Sequence, residues 1–200
     1  MISYPRTSEN PQLEDSAFHR AAKSGNSRLI ECFIKAGANV NLQTKRSDAP
    51  LYLAAQSNHL DSISLLLQNG ADPNMKNSGG NTALHVASLN GNYDLAKLLI
   101  SHNASLRIKN ERWQYPFHIA VKGNHANLIE SFLNTDVEAA LLKDLNGKIT
   151  IDYCKQPESK AVFTRFILWR ERKGILFVNK FSNSFGRISN GAFREIVEYI

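Results

Sequence analysis

Apolar residues return along the chain at a fixed step of 33 positions, over four consecutive copies and without an insertion. Within each copy they follow helical spacing, first over about eight residues and then over about ten. We therefore predict four successive pairs of antiparallel helices. The apolar columns are Phe18/Leu51/Leu84/Phe117, Ala21/Ala54/Ala87/Ala120, Ile30/Ile63/Ala96/Ile129, Phe33/Leu66/Leu99/Phe132 and Ile34/Leu67/Ile100/Leu133.

Glycine or asparagine stands at two places in each copy, and both residues tolerate a left-handed backbone. The place between the two apolar stretches predicts a tight turn, and the place after the second stretch predicts a helix C-cap. Neither helix is long enough to be stable alone, so each pair must pack on the next and form a solenoid. The turn residues are Gly25, Asn58, Gly91 and Asn124, the cap residues are Gly37, Gly70 and Asn103, and hairpin-like loops begin at Asn41 and Asn74.

A seven-residue motif opens each copy. It reads Thr-Ala-Leu-His-Val-Ala-Ser at residues 82–88 and has counterparts at 16–22, 49–55 and 115–121. It resembles the Thr-Pro-Leu-His-x-Ala-Ala signature of the ankyrin repeat, and a worn fifth copy begins at Asp144. The resemblance covers residues 15–154 and implies an all-α ankyrin-repeat solenoid of four full repeats plus a partial fifth.

The chain outside the repeats is expected to form two further segments. Residues 1–14 are polar, and we expect a flexible N-terminal segment there. In residues 155–200 the 33-residue step is lost, and we expect a helical C-terminal extension that caps the open end of the solenoid. Its first helix is predicted from Glu158 to Lys173, and its last from Phe193 to Ile200.

Composition excludes several classes of protein. No apolar run approaches the length of a membrane-spanning helix, and the first residues lack the apolar stretch of a signal peptide. The net charge of +6 lies mostly in residues 155–200, so the repeats do not form a basic nucleic-acid-binding body. Cys32 and Cys154 are far apart in sequence, which excludes a disulfide framework and a cysteine zinc site and fits the reducing cytoplasm, or a host cytosol if the protein is a secreted effector.

The resemblance implies a non-enzymatic function, the binding of another protein through the hairpin tips and the concave face of the first helices. It also implies that His19, His85 and His118 bond to backbone and order the hairpins, and that His59 and His125 are structural. The sequence offers no catalytic constellation, cofactor motif or metal-ligand spacing. We expect Cys154, which lies inside an apolar terminal repeat, to be buried and inert.

Positions of the hairpins and inner helices that lack a recurring apolar residue are free to vary. We predict that they form a surface that contacts a partner, the contact strip. This strip is mildly basic, which is typical either of an ordinary solvated face or of a surface that binds an acidic stretch of a partner. Trp113 replaces the usual glycine of its loop, so it is either an interface anchor or folds onto a neighbouring segment. The predicted partner-binding residues are Lys45, Arg46, Ser78, Asn81, Arg112, Trp113, Gln114 and Lys122.

The end of the chain supports a second hypothesis. Residues 188–200 resemble a truncated F-box, which implies a substrate adaptor that recruits a cullin-type ubiquitin ligase through its adaptor subunit, as in host-directed viral or bacterial effectors. The alternative is that the segment only caps the solenoid. Basic and aromatic residues interleaved around Arg165 could also serve an anionic membrane or nucleic acid, although the aromatics are needed to cover the last repeat. The tail residues concerned are Ile188, Phe193, Ile196, Val197, Tyr199 and Ile200.

Overall fold

The computed structural model describes residues 16–172, with side chains as far as residue 166. The predicted N-terminal segment 1–14 and the F-box-like residues 188–200 lie outside this part of the chain. The described residues form nine α-helices and two short 3-10 helices, with no β-strand. The α-helices are α1 (Ala17–Ser24), α2 (Ser27–Lys35), α3 (Pro50–Gln56), α4 (Leu60–Gln68), α5 (Ala83–Asn90), α6 (Tyr93–Ser101), α7 (Pro116–Lys122), α8 (Ala126–Thr135) and α9 (Pro157–Arg172).

The first eight α-helices form four antiparallel pairs, which confirms the all-α repeat solenoid. The first helix of each pair packs on the first helix of the next, so α1, α3, α5 and α7 form an inner layer. The second helices lie behind them in an outer layer, where α2 contacts α4 and α6 contacts α8. Three of the predicted apolar columns are buried in every copy, which puts one continuous core between the layers. The columns Phe18/Leu51/Leu84/Phe117, Ala21/Ala54/Ala87/Ala120 and Ile30/Ile63/Ala96/Ile129 are at most 3% exposed.

Individual residues set where these short helices begin and end. Pro50 and Pro116 stand at the first position of α3 and α7, where the absent N–H costs no hydrogen bond. The predicted turn residues all adopt left-handed backbone, with φ between 56° and 71°, which confirms the tight turns. The predicted cap residues do the same, as at Gly37 with φ 84°. The turn and cap residues therefore set the two reversals of each repeat.

Each turn residue faces the residue 34 positions later, just past the turn of the next copy. At Gly25 a Cβ atom would stand 2.5 Å from Cγ of His59, so the ring of this histidine fills the space that a side chain would need. Gly91 and His125 repeat this arrangement. The other two copies carry asparagine at the turn, and its side chain bonds to a polar partner instead. Asn58 accepts from the amide of Asn92, and Asn124 donates to Glu158.

The loops that follow the outer helices are joined from copy to copy, in each case by one side chain of the loop. Nδ2 of Asn41 donates to the Gly70 carbonyl (3.0 Å), and Asn74 makes the same bond one copy later. Arg107 occupies this column in the third copy and pairs with Asp136, with Nε 2.5 Å from Oδ2. The guanidinium lowers the pKa of the Asp136 carboxyl. A neutral amide link is thus replaced by an ion pair at the junction of the third and fourth copies.

The fifth copy is shortened. A 3-10 helix (Val137–Leu141) precedes it, and from Asp144 it consists of a hairpin at residues 144–148 and a second 3-10 helix (Thr150–Tyr153), at the place where the start of a first helix was predicted. Pro157 begins α9 soon after, and a proline disfavours helical backbone in the residue before it. Phe163 of α9 is 2% exposed and stacks on Phe117 with ring centroids 6.1 Å apart. The start of the C-terminal extension therefore covers the core of the fourth copy as a cap.

Candidate partner-binding surface

Four hairpin turns project from one edge of the solenoid, and all are built in the same way. In the third turn the backbone N–H of Asn110 donates to the Gln114 carbonyl (3.0 Å), and Oδ1 of Asn110 accepts from the N–H groups of Arg112 and Gln114. The first residue thus holds the whole turn through its side-chain oxygen. Thr44, Asn77 and Asp144 make the equivalent bonds in the other three turns.

Buried histidines of the inner helices join three of the four hairpin loops to the copy before them. Nε2 of His19 donates to the Leu42 carbonyl (2.8 Å), Nε2 of His85 to Gln114 (3.1 Å) and Nε2 of His118 to Lys148 (3.2 Å). The predicted role of these rings is confirmed. Burial lowers the pKa of His85 to about 4, so this ring is neutral at physiological pH.

His118 differs from the other two histidines because of the residue that precedes its helix. A hydroxyl bonds to Nδ1 in the other copies, at 2.7 Å from Ser16 to His19 and 2.9 Å from Thr82 to His85. Tyr115 stands at this place in the fourth copy and stacks on the His118 ring, with centroids 5.6 Å apart. Nδ1 of His118 is therefore buried without a hydrogen-bond partner among the described residues.

Trp113 has left-handed backbone at the tip of the third hairpin, with φ 57°. The equivalent residues are Ser47, Gly80 and Gly147, two of which are glycine. A bulky residue is strained in this conformation, by about 1 kcal/mol or more. The indole is 44% exposed, and Nζ of Lys109 lies 3.0 Å from its ring centroid. Trp113 therefore stays at the surface of its own loop, and the core does not need it.

Comparison with protein families agrees with this geometry. Residues 18–110 match the family model of ankyrin repeats, in three copies. This part of the chain belongs to the ankyrin repeat family. The fourth helical pair follows the matched repeats with the same step and the same hairpin construction. The chain matches none of the curated proteins with which it was compared.

The ankyrin hairpins place the predicted contact residues along one edge. Lys45, Arg46, Ser78, Arg112, Trp113 and Lys122 are exposed, whereas Asn81 and Gln114 are half-buried. The Asn81 side chain accepts from Nδ2 of Asn110 (3.0 Å), and backbone bonds from Ser78 to Arg46 (2.9 Å) and from Glu111 to Gly79 (3.1 Å) join the tips. Asn81 therefore links two hairpins, and the six exposed residues are the ones that present side chains to solvent.

Sequence reasoning missed two features near the fourth repeat. Tyr153 lies beside the end of α7, where Nζ of Lys122 is 3.9 Å and Nζ of Lys148 is 5.5 Å from its ring centroid. Lys109 holds the Trp113 ring in a comparable way. The contacts of Tyr153 have no signal in the 33-residue columns, because the step from Asn110 to Asp144 is one residue longer. The contact of Trp113 has none, because no other copy carries an aromatic residue at this place.

The described residues give no support for a catalytic or metal centre. No group of three histidine, cysteine or acidic side chains among them could hold a metal ion. Cys154 is buried as predicted, and burial raises the pKa of its thiol to about 12. Cys32 is exposed. Among the helices of residues 16–172, none combines the length and apolar character needed to cross a membrane.

Proposed function

We propose that the protein is a non-enzymatic interaction module that binds a partner protein through the ankyrin hairpin tips and the concave face of the inner helices. Ankyrin repeats typically bind other proteins. The observation that carries the proposal is Trp113, an exposed indole held in a strained backbone conformation that the neighbouring Gly80 adopts freely. Strain that the fold does not require is a feature of functional sites.

The charges along the edge indicate the chemistry of the partner. Lys45 and Arg46 lie exposed on the first tip, and Arg112 lies exposed beside Trp113. Exposed cations on the first and third tips steer and hold an acidic partner, while an aromatic anchor excludes water from the contact. We infer that the contact strip defined by the eight predicted residues binds an acidic segment, with Trp113 as its central anchor.

Trp113→Gly separates binding from folding, because glycine relieves the backbone strain. We expect the variant to be as stable as the wild type or more stable by about 1 kcal/mol, and to lose partner capture. Proteins retained by the immobilised wild type are quantified by mass spectrometry against Trp113→Gly combined with Arg112→Gln. The control is Lys97→Gln, which removes an exposed charge from the outer helix α6. Retention of the same proteins by the double variant would refute the contact strip.

A second candidate function is that of a ubiquitin-ligase adaptor, which the sequence of residues 188–200 supports through its F-box-like pattern. The widely separated cysteines fit the same cytoplasmic setting, including a host cytosol. The test is co-precipitation of the ligase adaptor subunit with the full chain and with a chain that ends at Asn190. Equal recovery with both would eliminate the adaptor role and leave the interaction module.

A further inference from the structure

Two lysines from different elements converge on one aromatic ring at the concave end of the fourth repeat. Lys122 is the last residue of α7, Lys148 ends the fourth hairpin and Tyr153 ends the second 3-10 helix. Their ammonium groups lie 3.9 Å and 5.5 Å from the Tyr153 ring centroid, within the range of a cation–π interaction. We call these three residues the lysine–tyrosine cluster.

The carboxylate of Asp144 contacts the cluster and is already hydrogen-bonded. Oδ1 of Asp144 accepts from the N–H groups of Asn146 (2.9 Å) and Lys148 (3.1 Å), and Oδ2 accepts from the phenol of Tyr153. Asp144 is 6% exposed, so it serves the turn and faces inward. Within the described part of the chain, neither ammonium group of the cluster has a carboxylate oxygen within 4.0 Å.

The two ammonium groups of the cluster therefore lack an ion-pair partner among the described residues. Lys122 and Lys148 are both exposed, and both contact the same aromatic ring. The pKa of Lys122 is lowered by partial burial; the negative charge of Asp144 opposes this shift, and the charge of Lys148 adds a smaller lowering effect. A further negatively charged group beside Lys122 and Lys148 would be attracted by both ammonium groups. The site thus favours an anion that arrives from outside the chain.

We propose that the lysine–tyrosine cluster binds a side-chain carboxylate of an acidic peptide segment. The inference rests on the proposed function and assigns a second recognition point to the same surface, beyond Trp113. A carboxylate fits better than a phosphate, because turns that bind phosphate use free backbone N–H groups. Here the cations are lysines, and Asp144 already occupies the N–H groups of the turn.

The test is an NMR titration of the isotope-labelled full chain with a capped octapeptide of alternating glutamate and serine at low salt. We expect the backbone signals of Lys148 and Tyr153 to shift. Lys122→Gln and Lys148→Gln should each weaken binding about five-fold, and the effect should vanish in 1 M salt. Lys143→Gln is the matched control, because this exposed lysine lies next to the same hairpin and makes no ring contact among the described residues. The affinity of the Lys143→Gln variant for the octapeptide should change less than about two-fold.

Each other outcome overturns the assignment. Equal losses in Lys143→Gln and Lys148→Gln would show a general positive field, and absence of shifts near Tyr153 would show that no carboxylate binds there. A peptide of the same charge with two phosphoserines in place of four glutamates tests the ligand: tighter binding through the same lysines would make it a phosphate. If the peptide titration fails, only the assignment of the lysine–tyrosine cluster is refuted. The contact strip is tested independently by the capture experiment with Trp113→Gly.

Discussion

Replacing Gly25 with asparagine places a Cβ atom where the His59 ring now lies. Asparagine itself accepts the left-handed backbone, as Asn58 and Asn124 do in the same column with φ 57° and 56°. The cost of the change is therefore the collision, because the new Cβ would stand 2.5 Å from two atoms of the ring. The imidazole must move by about 1 Å to reach ordinary contact distance, and a packed site resists such a shift.

The expected destabilisation follows from the interactions that the His59 ring loses. His59 Nε2 donates to the Lys23 carbonyl (3.1 Å), a bond that joins the first two repeats. Losing a hydrogen bond of this kind costs about 1 kcal/mol. Displacing the packed ring adds about 1–2 kcal/mol, so Gly25→Asn should lower the free energy of unfolding by about 2–3 kcal/mol. The melting temperature should fall by about 5–10 °C in a chain of this length.

Gly37→Asn is the matched control, because Gly37 has φ 84° and no atom lies within 4 Å of its would-be Cβ. It should cost about 0.5 kcal/mol. The double variant Gly25→Asn with His59→Asn recreates the Asn58–Asn92 pair of the next repeat and should recover at least 1 kcal/mol. Urea unfolding followed by circular dichroism measures all four chains. If Gly25→Asn and Gly37→Asn are equally destabilising, or the double variant shows no recovery, the pairing rule is wrong.

Three further predictions concern ionisable groups. Arg107→Gln should lower the urea midpoint slightly and remove salt sensitivity at the third junction. Because Arg107 lowers the pKa of Asp136, its contribution to stability is present above the ordinary pKa of aspartate and is lost as pH falls through the folded-state pKa. His85 has its pKa lowered to about 4, so the unfolded state binds more protons and the free energy of unfolding should fall by roughly 3 kcal/mol between pH 6.5 and 4. Cys32 should react with a thiol reagent at pH 8 in the folded protein and Cys154 only after unfolding.

These predictions are checked by simple measurements. Urea midpoints in low and high salt test the first, and an Arg107→Gln chain as salt-sensitive as the wild type would contradict it. A flat profile of unfolding free energy from pH 6.5 to 4 would contradict the second. Two thiols that react at the same rate in the folded protein would contradict the third.

The 33-residue columns predicted the helical pairs because the same burial recurs in every copy. Phe18 and Ile30 could be assigned to the core without coordinates, since a solenoid interface repeats its own contacts. The left-handed turns were predictable for the same reason, as glycine and asparagine share one backbone conformation. These columns do not show why the turn residue is glycine at position 25 and asparagine at position 58. The difference depends on the residue 34 positions later, which is His59 in the first case and Asn92 in the second.

The surface was less predictable. Asn81 belongs to a polar column, so its sequence position gave no sign that its amide oxygen joins two hairpins. Tyr153 and Lys122 meet where the last step is one residue longer and a short 3-10 helix (Thr150–Tyr153) stands in place of a first α-helix. Arg107 carried a usable signal, a cation in a column that holds Asn41 and Asn74, but its acceptors at residues 136–138 lie outside the repeating pattern.

The construction of the hairpins has a consequence for how recognition could diversify. One oxygen-bearing side chain, as in Asn110, holds the turn, and the two residues that follow it contribute only backbone to the scaffold. Those two residues can be exchanged as a cassette between repeats, or randomised in a library, with little penalty to folding. A repeat array of this design can therefore acquire new binding specificities through substitutions at these two hairpin positions, while the residues that hold the fold stay unchanged.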